Sequence, residues 1–140
     1  MGAPGADWQL AVRAANDEVL LRVPLPDGRF TLRYRNSLYG SLAEERFEIG
    51  PGGTIFLVEL AADEAAVLDE YYTTDRPNLA DPGDTRRWRA RPAAPVTLEE
   101  LAVAASQHSR RTLVVEDRPF PLWQLAGAAP TVTLEAEQAR

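Results

Sequence analysis

Three runs of alternating apolar residues between Phe30 and Ala61, joined by turns, constrain this chain more than any other feature. The first reads Phe30-Thr-Leu-Arg-Tyr-Arg-Asn36-Ser37 and the second Ala43-Glu-Glu-Arg-Phe-Glu-Ile49. A Gly50-Pro-Gly-Gly53 turn then leads into Thr54-Ile-Phe-Leu-Val-Glu-Leu60. Successive side chains of a strand point to opposite faces, so this pattern predicts an antiparallel meander. Phe30, Leu32, Tyr34 and Asn36 share a face in the first run, as do Ala43, Glu45, Phe47 and Ile49 in the second. A hairpin closed around Leu38 to Leu42 sets Tyr34 against Phe47, Leu32 against Ile49 and Asn36 against Glu45. A two-residue slip changes these partners but keeps the faces. The same register sets Arg35 against Arg46 on the outer face, a like-charge pairing that counts against it.

Parity therefore carries one carboxylate, Glu45, to the apolar side, where it is costly unless something bonds or pairs it. Two readings are open. Glu45 lies wet at the sheet rim, bonded to Asn36, Ser37 or a nearby arginine. Alternatively, Asn36, Ser37 and Glu45 form a polar recess at one end of the sheet, with Tyr72 as a further candidate contact.

The string Phe30-x-Leu32-x-Tyr34-x-Asn36-Ser37, followed by Ala43-x-Glu45-x-Phe47, resembles the opening signature of the bacterial family called domain of unknown function 1850. That family reads aromatic-x-leucine-x-tyrosine-x-histidine-serine, then a small or apolar residue, one residue, glutamate, one residue and an aromatic. The similarity continues through Gly53-Thr-Ile-Phe-Leu-Val-Glu59 and reaches Leu113-Val-Val115, Pro121-Leu122 and Val132-x-Leu134. Where the family has histidine this chain has Asn36, so no proton-transfer or metal role resting on that histidine is carried over. The resemblance implies a small accessory protein without an established activity, exported or membrane-anchored in many members, and encoded beside tripartite-type transporters.

At 140 residues the chain fits one domain, 1–140, large enough to enclose a core. Its net charge of -6 argues against a nucleic-acid or anionic-membrane surface. All 15 basic side chains are arginines, which removes lysine chemistry, and the absence of cysteine removes disulfides and thiolate sites. There is no run of apolar residues long enough to span a membrane and no signal-peptide pattern. Taken literally the chain is soluble and cytoplasmic; a trimmed leader would make it exported or anchored. Oligomeric state is not legible.

Along the rest of the chain, Asp7 to Ala14 and Val19 to Val23 read as strands. Thr54 to Leu60 reads as an interior strand with Phe56, Val58 and Leu60 on one face. Ala62 to Tyr72 is ambiguous: a helix capped by Asp63, with Val67/Tyr71 and Leu68/Tyr72 four apart, or a strand over Ala66 to Tyr72. Alternation and the resemblance favour the strand. Thr73 to Thr85 is a long loop. Arg86-Arg87-Trp88-Arg89-x-Arg91 reads as a strand with Trp88 inward, its arginines either neutralising nearby carboxylates or contacting an anion. Thr97 with Glu100 has the form of a capping box, predicting a helix over about residues 98–107 that buries Leu98, Leu101, Ala102 and Ala105. Thr112 to Glu116 and Thr131 to Glu135 read as the last strands. The expected fold is mainly β: an antiparallel sandwich or partly open barrel of about eight strands with that one helix.

Enzyme signals are weak. His108, the single histidine, has Ser106 and Ser109 near it but no nucleophile elbow, and reads as a surface-loop residue. Asp75, Asp81 and Asp84 lack calcium-loop spacing. Glu44/Glu45 and Asp69/Glu70 point to opposite faces of their strands and cannot work as pairs. No cofactor motif occurs. The leading expectation is a non-enzymatic accessory or binding module for an unknown small ligand or protein partner. The alternatives are a small hydrolase or lyase using Glu45 as acid or base, and an oligomerising scaffold using an exposed strand edge.

Overall fold

The computed structural model describes residues 8–127 and 131–139, and of Tyr71 only the backbone. Asp7, expected to begin the first strand, lies outside the described residues. The first five strands are β1 (Trp8–Ala14), β2 (Val19–Pro24), β3 (Arg29–Arg35), β4 (Leu42–Ile49) and β5 (Ile55–Ala62). Helix α1 (Ala65–Tyr71) and three short strands follow, β6 (Asn78–Leu79), β7 (Trp88–Ala90) and β8 (Val96–Leu98). The chain continues through β9 (Glu100–Ala104), β10 (Thr112–Val115), β11 (Arg118–Pro121), helix α2 (Leu122–Leu125) and β12 (Thr131–Gln138).

These strands form two antiparallel sheets. The small sheet has the order β2-β1-β12-β9; the large one runs β11-β10-β3-β4-β5-β7-β6, with β8 sharing the outer edge of β5. Leu10, Val12, Val103, Val132 and Leu134 of the small sheet meet Phe30, Leu32, Phe47, Ile55, Leu113 and Val115 of the large one in a single core. Each such fully buried side chain contributes roughly 2 kcal/mol. The result is a sandwich and not a closed barrel, with strands more numerous than expected because β6 and β11 are too short to stand out in sequence and β8 and β9 take the place of the expected helix.

The small sheet covers only one end of the large sheet's inner face. At the other end Tyr34, Ala43, Leu60 and Ala62 lie under α1, packed against Val67 and Leu68. This corrects the strand expected over Ala66 to Tyr72. Val67 and Leu68 are consecutive and both fully buried, which a helix achieves on one face but a strand only if covered on both. Asp63 does not cap this helix; its carboxylate receives Arg86 instead.

The helix expected over 98–107 is also corrected. The capping-box residues lie in β8 and at the start of β9, and the chain crosses between sheets at Glu99. Val103 and Ala105 are buried while Ala102 and Ala104 are exposed, a two-residue period. A capping box is a local preference of order 1 kcal/mol. Here β8 pairs with Ile55–Leu57 and β9 with five residues of β12, and those ladders together with burial override it.

The meander is formed, with faces as parity requires, but in a register slipped by four residues: Phe47 pairs with Phe30 rather than Tyr34. Their rings stack 4.9 Å apart, and Arg46 faces Thr31, so the arginine clash of the expected register never arises. A bulge at Val58 shifts β5 against β4 between Arg46 and Phe47. Ile55 and Leu57 therefore share the inner side with Leu60 and Ala62, where unbroken alternation had separated them. In the turn before β5, Gly53 has φ +87° and lies under the Trp8 ring, where a Cβ would sit 3.2 Å from ring carbons.

On the outer face Arg46 is the hub of an ion network. Its guanidinium reaches Glu59 at 2.6 Å, Asp84 at 2.7 and 3.0 Å, and Glu44 at 3.1 and 3.2 Å. Glu44, only 6% exposed, also accepts from the Thr85 hydroxyl at 2.9 Å and lies 3.1 Å from Arg86 Nε without hydrogen-bond alignment. Arg89 Nη1 lies 3.6 Å from Glu59. The arginine cluster thus neutralises carboxylates, and the long loop is fastened to the sheet through Asp84. Burial alone would lower the Arg46 pKa, but the bonds to Asp84 and Glu59 more than reverse that.

Arg46→Met keeps the aliphatic stem but strands Glu44, Glu59 and Asp84, and is expected to cost on the order of 3 kcal/mol in denaturant unfolding. Asp84 is held below its ordinary value of 3.8, first by the Arg46 hydrogen bond and then by the Arg86 backbone N–H. Its contribution is complete above that value and is lost as pH falls below it, because the unfolded state then binds the extra proton. Pepsin cleavage within 73–87 is expected to accelerate below about pH 3.8, and Asp84→Asn should give loop release, read with trypsin, already at neutral pH.

Candidate functional site

The seam between the two covers of the large sheet is where the inward carboxylate emerges. Glu45 lies on β4 between Leu32 of β3 and Leu60 of β5. Leu32 belongs to the core under the small sheet and Leu60 to the core under α1. Neither cover closes over Glu45, and a cleft of about 470 Å³ opens there. Its lining includes Asn36, Ser37, Glu45 and Tyr72, all four candidates, together with Tyr34, Arg35, Ser106, His108, Ser109 and Arg111.

Tyr72 follows α1 immediately in extended conformation (φ -138°, ψ 153°). Its hydroxyl donates to Glu45 Oε2 at 2.8 Å and lies 2.5 Å from the Tyr34 hydroxyl. A phenol has one proton, and Tyr72's is committed to Glu45, so Tyr34 donates to Tyr72. The chain of donors runs Tyr34 to Tyr72 to carboxylate. Arg111 completes it, with Nη1 3.5 Å from Glu45 Oε1 and its guanidinium 4.4 Å from the Tyr34 ring centroid. Glu45 is thus bonded, as the rim reading requires, and faces a recess, as the sharper reading requires.

Asn36 has a different job. It is 4% exposed, and its Oδ1 accepts from the backbone N–H groups of Leu38 and Tyr39 at 3.0 Å each. Its own N–H donates to Ser41 O, and its carbonyl accepts from Gly40 N–H, both at 2.8 Å. Asn36 therefore shapes the hairpin tip and is not set against Glu45, whose partner on β3 is Leu32. Ser37 is exposed beside it on the cleft wall.

Arg111 was not singled out in the sequence, although the signal exists. It stands two and four residues before the buried Leu113 and Val115, on their face, and continues the pairing that sets Thr112 against Arg33. The turn Ser106 to Arg110 that replaces the expected helix end brings exposed His108 to the cleft, a tertiary placement that no local pattern carries. Among the described residues no three His, Cys, Asp or Glu side chains converge to hold a metal ion. Of the loop aspartates, Asp84 serves Arg46 and Asp75 accepts from the Arg91 N–H at 2.8 Å.

No family model, curated protein or solved structure matches this chain. No described helix is long and apolar enough to cross a membrane.

Asn36→Ala removes the acceptor of two N–H groups at the hairpin tip and is expected to lower stability by about 1 kcal/mol. Ser37→Ala should stay within about 0.5 kcal/mol, both read by denaturant unfolding. The Tyr72 hydroxyl is raised above its usual 10.0, first by burial and then by the negative charge of Glu45. The fold retains a proton that the unfolded chain releases, so this contribution is complete below about pH 10 and lost above it. Unfolding free energy measured up to about pH 11 is expected to fall past pH 10, and to fall less steeply in Tyr72→Phe.

Proposed function

We propose that this protein is a non-enzymatic binding module that takes a small polar ligand at the Glu45 cleft. The observation carrying this reading is convergence. The β3 end, β4, the residue after α1 and the turn before β10 each send a polar side chain to one opening beside an otherwise apolar core. Core packing alone has no use for a carboxylate at that point, since flanking Leu32 and Leu60 are buried at 1% exposure. The resemblance to domain of unknown function 1850 supports an accessory role beside a tripartite-type transporter. Asn36, which stands where that family has histidine, keeps a structural role in this reading.

The test is a thermal-shift screen of small polar metabolites against the full chain, with Glu45→Gln alongside. A ligand at a hundredfold excess over its Kd stabilises by about 2.7 kcal/mol, a rise of several degrees for a domain of this size. Stabilisation by at least one compound in the wild type, lost in Glu45→Gln, is the expected result. Stabilisation that ignores the substitution, or none across the library, overturns the reading. Turnover that titrates with Glu45 would instead establish the acid–base alternative, and a concentration-dependent oligomer without ligand effects the scaffold.

A further inference from the structure

Two arginines of nearly equal burial lie on opposite faces of the large sheet and are used in opposite ways. The side chains of Arg46 and Arg111 are 19% and 22% exposed. Every nitrogen of the Arg46 guanidinium donates to a carboxylate, at 2.6 to 3.2 Å. Arg46 is thereby fully committed to structure. Among the described residues the Arg111 guanidinium has one polar contact, the 3.5 Å approach of Nη1 to Glu45, and its buried Nε has no acceptor. Stacking on Tyr34 serves the guanidinium face and leaves the Nε–H unmet. Holding such a group from water without acceptors is costly, and its fork matches a carboxylate.

The surroundings narrow the ligand further. In a chain of net charge -6, the cleft is lined by two arginines, Arg35 and Arg111, against one acid, Glu45. The lining therefore favours a single negative charge. A bare anion on Arg111 would also face Glu45, whose Oε1 lies beside Nη1. Glu45 Oε2 is taken by Tyr72, while Oε1 has only the long arginine contact. One chemistry satisfies both groups at once: oxygens for the guanidinium, with a hydrogen-bond donor a short covalent distance away for Oε1.

Resting on the binding-module reading, we propose that the cleft recognises a small carboxylate bearing a hydroxyl or amino group on the adjacent carbon. The carboxylate sits on Arg111 and the neighbouring O–H or N–H donates to Glu45 Oε1. Lactate, alanine, propionate and inorganic phosphate separate the possibilities when titrated into the full chain by calorimetry and by nitrogen-15 NMR. Lactate or alanine is expected to bind at least about tenfold more tightly than propionate, which lacks the donor. Which of the two binds more tightly assigns the hydroxy or the amino class. Arg111→Lys should weaken the preferred probe by about tenfold or more, since a point charge replaces a two-pronged donor. Should that variant not fold, the wild-type Arg111 Nε–H resonance supplies the readout: the preferred probe shifts it at a concentration about tenfold lower than propionate does. Equal binding of lactate, alanine and propionate, tighter binding of phosphate, or no binding of any probe at about 10 mM overturns the proposal. If the metabolite screen meanwhile yields a Glu45-dependent ligand of another class, the binding module stands and only its ligand chemistry falls; if both are silent, both fall.

Discussion

Neighbouring residues of a strand point to opposite faces, and the pair Glu44–Glu45 on β4 makes two separate polar centres out of that constraint. Glu44 goes outward, 6% exposed, into the network around Arg46 that fastens the 73–87 loop. Glu45 goes inward and meets Tyr72, Tyr34 and Arg111. A one-residue shift of β4 would exchange them and bury each carboxylate among the wrong partners, at a cost of several kcal/mol per unpaired charge. The facing of β4 and the existence of the cleft are therefore held by the same periodicity that turns Phe30 and Phe47 inward together.

An inward carboxylate also needs a place where the inner face is left uncovered. The large sheet is wider than the small sheet packed on it, and α1 covers the remainder, so a seam runs between two unlike covers. Glu45 lies on that seam with Leu32 on one side and Leu60 on the other. The tyrosines bridge it: Tyr34 rises from β3, and Tyr72 leaves the end of α1 in extended backbone. The same two residues hydrogen-bond the helix end to the sheet and orient the carboxylate, so the stability of this corner and the geometry of the candidate site are one interaction.

The parity of β3 and β4, and the inward placement of Glu45 and Tyr34, were legible in the residues, because period two is written directly into the chain. The four-residue slip was not, since it keeps every face; it follows from Asn36 closing a short tip through Leu38 and Tyr39 instead of pairing with Glu45. Asn36 thus reached the cleft wall for a reason other than the expected one. Arg111 obeys the same parity rule as Glu45, but standing just before the apolar run Leu113 to Val115 it has the form of an ordinary polar strand flank. His108 came to the cleft only because residues 100–104 extend along β12 and turn back at Ser106 to Arg110.

Local alternation in the sequence alone determined the mainly β character, the central meander, the inner and outer faces of β4, and the last strand with Val132 and Leu134 inward. Tertiary structure decided the conformations of the two segments where local preference and long-range pairing disagree. Residues 65–71 coil because Val67 and Leu68 must both be buried against the exposed end of the sheet. Residues 96–104 extend because the edges of β5 and β12 offer them hydrogen bonds that a capped helix cannot match. It also decided which polar groups share the seam, since Tyr72, Arg111 and Glu45 are separated by 27 and 66 positions in the chain and meet only once two sheets and a helix are assembled.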